Sequence, residues 1–209
     1  MTTVTEVKKQ PGCVRIIFSD GTDLNVPYPL FAVRRLRAGM PASRAEYLAF
    51  IEAQAYPYAL DRAVGLLSMR DATEKEIADR LRRSGYPDSA VDRAINVLKD
   101  NHFVDDGRFA ERFVELKGSR FGGRRLYGQL RQKGVSDETA REALARLTDE
   151  DEDAAALRQA EKLLARRDAG DPEVRRKVVM QLVRRGYGWD TARDAVARAA
   201  GQEDGEEYT

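Results

Sequence analysis

The residues that usually carry enzyme chemistry are few in this chain and stand far apart. The single histidine, His102, has no cysteine near it and no metal-ligand partner at helical spacing. The single cysteine, Cys13, lies in a predicted strand with no histidine within sequence reach, so an activated nucleophile is not indicated. Gly122-Gly123 opens a predicted helix but lacks the Gly-Lys-Ser/Thr ending of a phosphate-binding loop. We therefore expect no catalytic residue, no metal site and no cofactor.

Binding chemistry is indicated more strongly, by two basic segments that contain no acidic residue. The first runs from Arg120 to Lys133 and the second from Arg175 to Arg185. Solvated helix faces normally mix charge signs, because opposite charges four residues apart stabilise a helix. Acid-free segments in a chain with 36 basic and 35 acidic residues therefore favour an anionic partner over an ordinary solvated surface. Guanidinium groups pair with both phosphate and carboxylate, so DNA and an acidic protein groove both remain candidates. The candidate contact residues are Arg120, Arg124, Arg125, Arg131, Lys133, Arg175, Arg176, Lys177, Arg184 and Arg185.

The spacing within the first basic segment separates an outer face from a core face. Arg124 and Arg131 are seven residues apart, which is two helical turns, so they share one face. Leu126 and Leu130 form the opposite stripe, which we expect to be buried. Tyr127 stands between the two faces, where it could stack on a base or flank the core. We favour the core position, because aromatic side chains are mostly buried.

The acidic residues are concentrated outside the basic segments. An unbroken run, Asp149 to Asp153, reads as a linker, and it could serve either as a hinge or as a decoy for the basic helices. A second acidic group follows residue 201. The single cysteine permits no intrachain disulfide, residues 1–9 lack a signal-peptide pattern, and no run approaches the roughly 18 apolar residues of a membrane span. We therefore expect a cytoplasmic protein that does not enter a membrane.

Short strands are predicted at the start of the chain. Val14, Ile16 and Phe18 alternate with Arg15 and Ile17, and Leu24 and Val26 alternate with Asp23 and Asn25, on either side of Asp20-Gly21. This dipeptide favours a hairpin with a type I′ turn, in which both central residues have positive φ. Pro11-Gly12 marks an earlier turn and allows a third strand over 4–8. Such a sheet is too small to be stable alone, so it should pack on the helices that follow.

From Ser43 onward the pattern is helical and repeats three times. Gly85, Gly134 and Gly186 are 49 and 52 residues apart, and each is placed to be the left-handed end of one helix before the next begins. Positions six, nine, ten and thirteen after each glycine are apolar, which is the spacing of one helix face. A further helix precedes each pair, over about 58–69, 106–117 and 153–167. Pro57 is expected to end the helix that begins at Ser43.

These patterns predict a mainly α fold of three tandem three-helix repeats with a small N-terminal β-hairpin region. Each helix pair around a glycine also fits a helix-turn-helix unit. The predicted divisions are a β-rich region, 1–42; a connecting helix, 43–57; repeats over 58–104, 105–148 and 149–200, the last with an acidic linker at its start; and an acidic disordered tail, 201–209.

With these repeats in view, the chain resembles the RecX family. The similarity lies in an ordered series of segments at repeat spacing, which is more specific than any single motif, and it covers about residues 59–200. The matching segments are ALDRAVGLLSMRDATEKEIADRLRRSGY (59–86), LKDNHFVDDGRFAERFVE (98–115), FGGRRLYGQLRQKGV (121–135) and RRKVVMQLVRRGY (175–187).

The resemblance implies a monomeric regulator that binds in the groove of the RecA filament on DNA. Family members are implied to limit filament growth, and with it ATP hydrolysis, strand exchange and self-cleavage of the stress-response repressor. Single- or double-stranded DNA is a further candidate partner, and whether protein or DNA contact dominates stays open. The alternative is a DNA-binding protein that uses its helix-turn-helix-like units alone. It is less favoured, because the helices after the glycines begin with acidic residues, which repel phosphate.

Overall fold

The computed structural model describes residues 2–201, which fold into ten helices and one three-stranded antiparallel sheet. The expectation of a mainly α protein with a small N-terminal sheet is confirmed. The predicted acidic tail lies outside the described residues, apart from Gly201. The described chain forms two compact units that divide between Asp105 and Asp106.

The sheet consists of β1 (Val4–Gln10), β2 (Cys13–Phe18) and β3 (Asp23–Pro27), in that order. Val14, Ile16 and Phe18 point into the core and are almost fully buried, whereas Arg15 and Ile17 between them are half-buried, as the alternation along the strand predicts. The third strand allowed by Pro11-Gly12 is present and is longer than expected.

The turn between β2 and β3 differs from the predicted type. Gly21 has φ +81, but Asp20 does not have positive φ, so this is not a type I′ turn. The Gly21 amide donates to the Phe18 carbonyl at 3.0 Å, and the Phe18 amide donates to the Thr22 carbonyl at 2.9 Å. This is the three-residue loop that ends in one left-handed glycine. Asp20 favours it because its carboxylate accepts a hydrogen bond from the Thr22 amide at 3.0 Å, which holds the loop locally.

Four helices complete the first unit: α1 (Tyr28–Val33), α2 (Arg44–Leu67), α3 (Glu74–Arg83) and α4 (Asp88–Asp100). The predicted break at Pro57 is wrong, since this proline lies inside α2, a single helix of 24 residues. An interior proline costs about 3 kcal/mol. That cost is offset because one buried stripe runs past the proline without interruption: Tyr47, Ile51, Ala55, Ala59, Ala63 and Leu66.

Six helices form the second unit: α5 (Asp106–Gly118), α6 (Gly123–Gln132), α7 (Asp137–Leu144), α8 (Asp149–Leu164), α9 (Pro172–Arg184) and α10 (Trp189–Ala199). The interpretation of Asp149 to Asp153 as a linker is wrong, because these residues form the first turn of α8. The Thr148 hydroxyl accepts from the Asp151 amide at 3.1 Å, and the Asp151 carboxylate accepts from the Thr148 amide at 3.4 Å. Acidic residues at a helix start are also stabilised by the helix dipole.

The three repeat glycines all have the predicted left-handed conformation, with φ of +83, +95 and +96 at Gly85, Gly134 and Gly186. Each lies in a Schellman motif, in which the glycine amide and the next amide bond to the last free carbonyls of the helix. At Gly186, its amide donates to the Val183 carbonyl at 2.9 Å and the Tyr187 amide donates to the Leu182 carbonyl at 3.3 Å. The apolar residues after each glycine are buried or half-buried, so the repeat pattern is confirmed.

Candidate partner-binding surface

The basic residues of the first segment project from α6 and from the loop before it. Leu126 and Leu130 are fully buried, and this leaves Arg124 and Arg131 on exposed positions, as their spacing predicts. Arg120 and Arg124 are exposed, and no hydrogen bond or ion pair to their side chains is found within residues 2–201. The Arg131 guanidinium instead donates to the Val135 carbonyl at 2.6 Å, so it also closes the turn at the end of its own helix.

Two other cations of this segment lie against aromatic rings. The guanidinium of Arg125 stacks over Phe121, 4.5 Å from the ring centroid. The Lys133 ammonium is 5.5 Å from the centroid of Phe109 and 6.0 Å from that of Phe113. Such contacts stabilise a cation by about 0.5–1 kcal/mol at exposed sites. Lys133 is half-buried and covers the aromatic pair, so it belongs more to the packing of α5 than to an outward surface.

The basic residues of the second segment divide into two groups. Arg176, Lys177 and Arg184 are exposed on α9, and Arg176 is 3.6 Å from the Glu173 carboxylate. Arg175 is half-buried, and its Nε has no hydrogen-bond partner among the described residues. The first group is therefore exposed to solvent, whereas Arg175 is partly withdrawn from it.

Arg185 is held inside the unit by a chain of hydrogen bonds. Its guanidinium donates to the side-chain oxygen of Gln159, which is only 8% exposed. The Gln159 amide then donates to the Ser119 carbonyl at 3.1 Å. Arg185 thus connects α9 to α8 and to the loop before α6, a structural position that its place in the sequence does not reveal.

The two basic segments meet where α6 begins and α9 ends. The Gly122 amide donates to the Arg185 carbonyl at 3.1 Å, and the Arg125 guanidinium donates to the Arg184 carbonyl at 3.2 Å. The positive end of one helix dipole therefore faces the negative end of the other. A Cβ on Gly122 would lie 2.4 Å from the Tyr187 nitrogen, so only glycine permits this approach. The exposed arginines Arg125 and Arg184 become neighbours as a result.

The start of α6 is already occupied by protein groups. Besides the contact from Gly122, the Gly123 amide donates to the Glu152 carboxylate of α8 at 3.2 Å. One residue of the acidic run therefore caps a helix elsewhere in its unit. A phosphate at this helix start would have to displace that carboxylate.

The remaining candidates for chemistry have structural positions. His102 has φ +56 and occupies the left-handed place after α4, where its amide donates to the Lys99 carbonyl at 2.8 Å. Cys13 is buried, and burial raises the pKa of its thiol, which disfavours the reactive thiolate.

Within residues 2–201, no group of three His, Cys, Asp or Glu side chains is arranged to hold a metal ion. No helix of this part combines the length and apolarity that crossing a bilayer demands.

Two aromatic residues near the basic segments behave differently from each other. The Tyr127 hydroxyl donates to the Asp137 carboxylate, and the ring packs on the core of α5, α6 and α7, so the expected core position is confirmed. Trp189 is the first residue of α10 and is 52% exposed. In the sequence Trp189 precedes Asp190, a plausible N-cap, and this position predicts a hydrophobic staple. The prediction is wrong, because Gly188 is the N-cap and Trp189 is already the first residue of the helix.

Sequence reasoning also missed Arg167, which follows α8. It lines a groove on α9 together with Arg176, Lys177 and Arg184. Its signal is weak, because it lies within a loop that also contains Asp168 and Asp171. Only the folding of that loop against α9 adds its charge to the others.

Comparison with known proteins identifies relatives for each repeat. Family models described as the first, second and third three-helix domains of RecX match residues 59–98, 105–144 and 150–196. A regulatory protein RecX of Chromobacterium violaceum is 35% identical over 139 residues, covering 66% of this chain and 89% of the relative. One of Bacillus velezensis is 31% identical over 151 residues, covering 71% of this chain, which spans 57% of that relative's length. A crystal structure of regulatory protein RecX has the same fold, with a TM-score of 0.62, 22% identity, and coverage of 93% of this chain and 100% of the other.

Proposed function

The chain belongs to the RecX family of regulatory proteins, and from this we propose that it binds the RecA filament and limits its growth. Filament-dependent ATP hydrolysis, strand exchange and repressor self-cleavage would fall together, because all three require an extended filament. We propose that the protein acts in the cytoplasm as a monomer, by occupying its partner, and has no turnover of its own.

The observation that carries the proposal is the meeting of the two basic segments at the α6–α9 junction. The contact between Gly122 and Gly186 brings the exposed residues Arg125 and Arg184 side by side within one compact unit, with the Arg125 guanidinium on the Arg184 carbonyl. We call the exposed cations of α6, of α9 and of the loop before α6 the basic surface: Arg120, Arg124, Arg125, Arg131, Arg176, Lys177 and Arg184. A filament on DNA offers carboxylates and phosphates in regular repetition, which suits such a surface.

Binding to DNA alone has less support from the structure. A helix that reads a groove should present cationic or amide side chains at its first turn. Here Asp88 at the start of α4 pairs with Arg82 at 2.7 Å, and Asp137 at the start of α7 pairs with Arg141 at 3.2 Å. These first turns are occupied by internal ion pairs.

The test measures ATP hydrolysis by RecA on single-stranded DNA while this protein is added below equimolar amounts. We expect ATP hydrolysis to fall even when there is less of this protein than of RecA. One molecule bound at the growing end of a filament would prevent the addition of many further RecA subunits. Retention of the protein on RecA–DNA filaments, on RecA alone and on DNA alone identifies the partner. An unchanged ATPase rate at equimolar protein would overturn the proposal, and retention on DNA alone would favour the stand-alone alternative.

A further inference from the structure

An open groove of about 580 Å³ lies along the outward side of α9, within the second unit. Four cations line it: Arg167, Arg176, Lys177 and Arg184. Glu173 is the single carboxylate of its lining and is 3.6 Å from Arg176, so positive charge remains in excess. The volume is in the range of sites that hold a ligand, roughly 300–1,000 Å³.

The groove also has an apolar part. Val174 and Met180 lie among the cations, and Met180 is 40% exposed on an otherwise charged face. An unbranched methionine adapts its shape to different apolar or aromatic groups. The chemistry that fits this lining is therefore a peptide with several carboxylates and at least one aromatic or apolar side chain.

We propose that this groove binds the acidic segment of the same chain, residues 202–209. The segment reads Gln-Glu-Asp-Gly-Glu-Glu-Tyr-Thr, with carboxylates at Glu203, Asp204, Glu206 and Glu207. These carboxylates match the four cations in number, and Tyr208 supplies a ring for Met180. The segment contains no basic residue that would oppose the contact.

The segment is long enough to run the length of α9. The segment follows Gly201 directly, just beyond α10, and α10 and α9 share one core. Eight extended residues reach about 26–29 Å, whereas the 13 residues of α9 span about 20 Å. A short tether also gives an effective concentration in the millimolar range, so even a weak intrinsic affinity fills the groove much of the time.

Docking would cover part of the basic surface. Arg176, Lys177 and Arg184 belong both to the groove and to that surface, so the acidic segment would compete with the partner for them. This consequence depends on the proposed function, whereas the docking itself does not. The partner would have to supply more contacts than the segment in order to displace it.

Zero-length carbodiimide coupling of the unmodified full-length protein tests the docking without any partner. We expect an amide between the Lys177 amine and a carboxylate of residues 203–207, found by mass spectrometry in the monomer. Exposed Lys162 on α8 is the internal control, and we expect coupling to the segment at Lys177 to exceed that at Lys162 by at least about threefold at low salt, an excess that shrinks near 1 M salt. Equal coupling at both lysines, or coupling at Lys177 only between two copies, would overturn the proposal.

A charge-neutralised full-length variant tests the competition separately. It carries Glu203→Gln, Asp204→Asn, Glu206→Gln and Glu207→Gln. We expect it to bind RecA filaments roughly three- to tenfold more tightly than the parent, because the competing contact is removed. If Lys177 couples to the segment but the variant binds no better, the docking stands and the competition is refuted. If neither protein binds filaments, the proposed function fails while the coupling result still decides the docking.

Discussion

Gly122 and Gly186 lie backbone against backbone, so close that a Cβ on Gly186 would stand 2.9 Å from the Gly122 carbonyl oxygen and 2.4 Å from Arg125 Cβ. The close approach requires glycine at both positions, and Gly186 has a second reason in its backbone conformation. Gly186 has φ +96, whereas Gly122 has an ordinary φ of −74 and is constrained only by its neighbour. The contact fixes the start of α6 against the end of α9.

Replacing Gly122 with alanine should destabilise the second unit by about 1–3 kcal/mol, because the added methyl group overlaps the backbone of Gly186 and Tyr187. Gly128→Ala is the matched control in the same helix. A Cβ there meets nothing within 4 Å, so this change should stabilise the protein by about 0.4–1 kcal/mol. Chemical denaturation gives both values, and equal stability of the two variants would contradict a tight junction.

Reversing the charge of Arg120 and Arg124 to glutamate should weaken filament binding strongly and reduce its salt dependence, because fewer ions are released on binding. Melting should change little, by about 0.5 kcal/mol or less, since both side chains are exposed. Arg193→Glu with Arg198→Glu on α10 is the control of equal charge change. If the control loses as much affinity, net charge and not the basic surface governs binding.

Arg184 and Arg185 are adjacent in sequence but should respond oppositely to alanine. Arg184→Ala should reduce partner affinity and leave stability nearly unchanged, because its side chain lines the open groove. Arg185→Ala should cost about 1–3 kcal/mol of stability, because it leaves the buried oxygen of Gln159 without its donor. Titration with filaments and thermal melting separate the two effects. Loss of affinity alone in Arg185→Ala would show that this residue contacts the partner.

Tyr187→Phe should stabilise the protein by about 1 kcal/mol, because the buried Tyr187 hydroxyl has no hydrogen-bond partner among the described residues. Tyr47→Phe is the contrasting change. The Tyr47 hydroxyl donates to the Arg34 carbonyl, so its removal should destabilise by a similar amount. Thermal melting of both variants at neutral pH shows whether each change raises or lowers stability. If both variants are destabilised, the Tyr187 hydroxyl must be hydrogen-bonded to a bound water.

Stability should also fall in alkali. Burial raises the pKa of Tyr47, Tyr86 and Tyr187 from 10.0 to about 12. As the pH rises, the unfolded chain therefore loses these protons before the folded chain does. The contribution of the three protonated tyrosines to the free energy of unfolding is complete below about pH 10 and disappears as the pH rises towards 12. Denaturation at a series of pH values measures the slope, which should be shallower in Tyr187→Phe.

The repeats were predictable because their signals are local. A glycine at the end of a helix and apolar residues on one face after it fix both helices, whatever surrounds them. The position of Pro57 inside α2 was not predictable in this way, because a buried stripe on both sides of the proline outweighs its local preference. The capping pair of Thr148 and Asp151 was visible in the sequence, but the length of the acidic run favoured a linker.

The candidate surface was predictable only as a set of charges. Sequence spacing places Arg124 and Arg131 on one face, and the structure agrees. Sequence spacing does not show that the Arg185 guanidinium is bound by Gln159, which precedes it by 26 residues. Nor does it show that Arg167 lines the same groove as the basic residues of α9. Both depend on contacts between helices, and no local pattern records such contacts.

Because Gly85 has no side chain, the backbone of β3 packs directly against the turn between α3 and α4. A Cβ there would stand 2.7 Å from the Asn25 carbonyl oxygen of β3, much as one on Gly186 would strike the start of α6. The same kind of turn thus receives a strand in one unit and a helix end in the other. In chimeras built from related chains, each glycine turn should therefore be exchanged together with the segment that packs against it. A repeat transferred without β3, or without Gly122, would lose the backbone contact that its glycine turn makes.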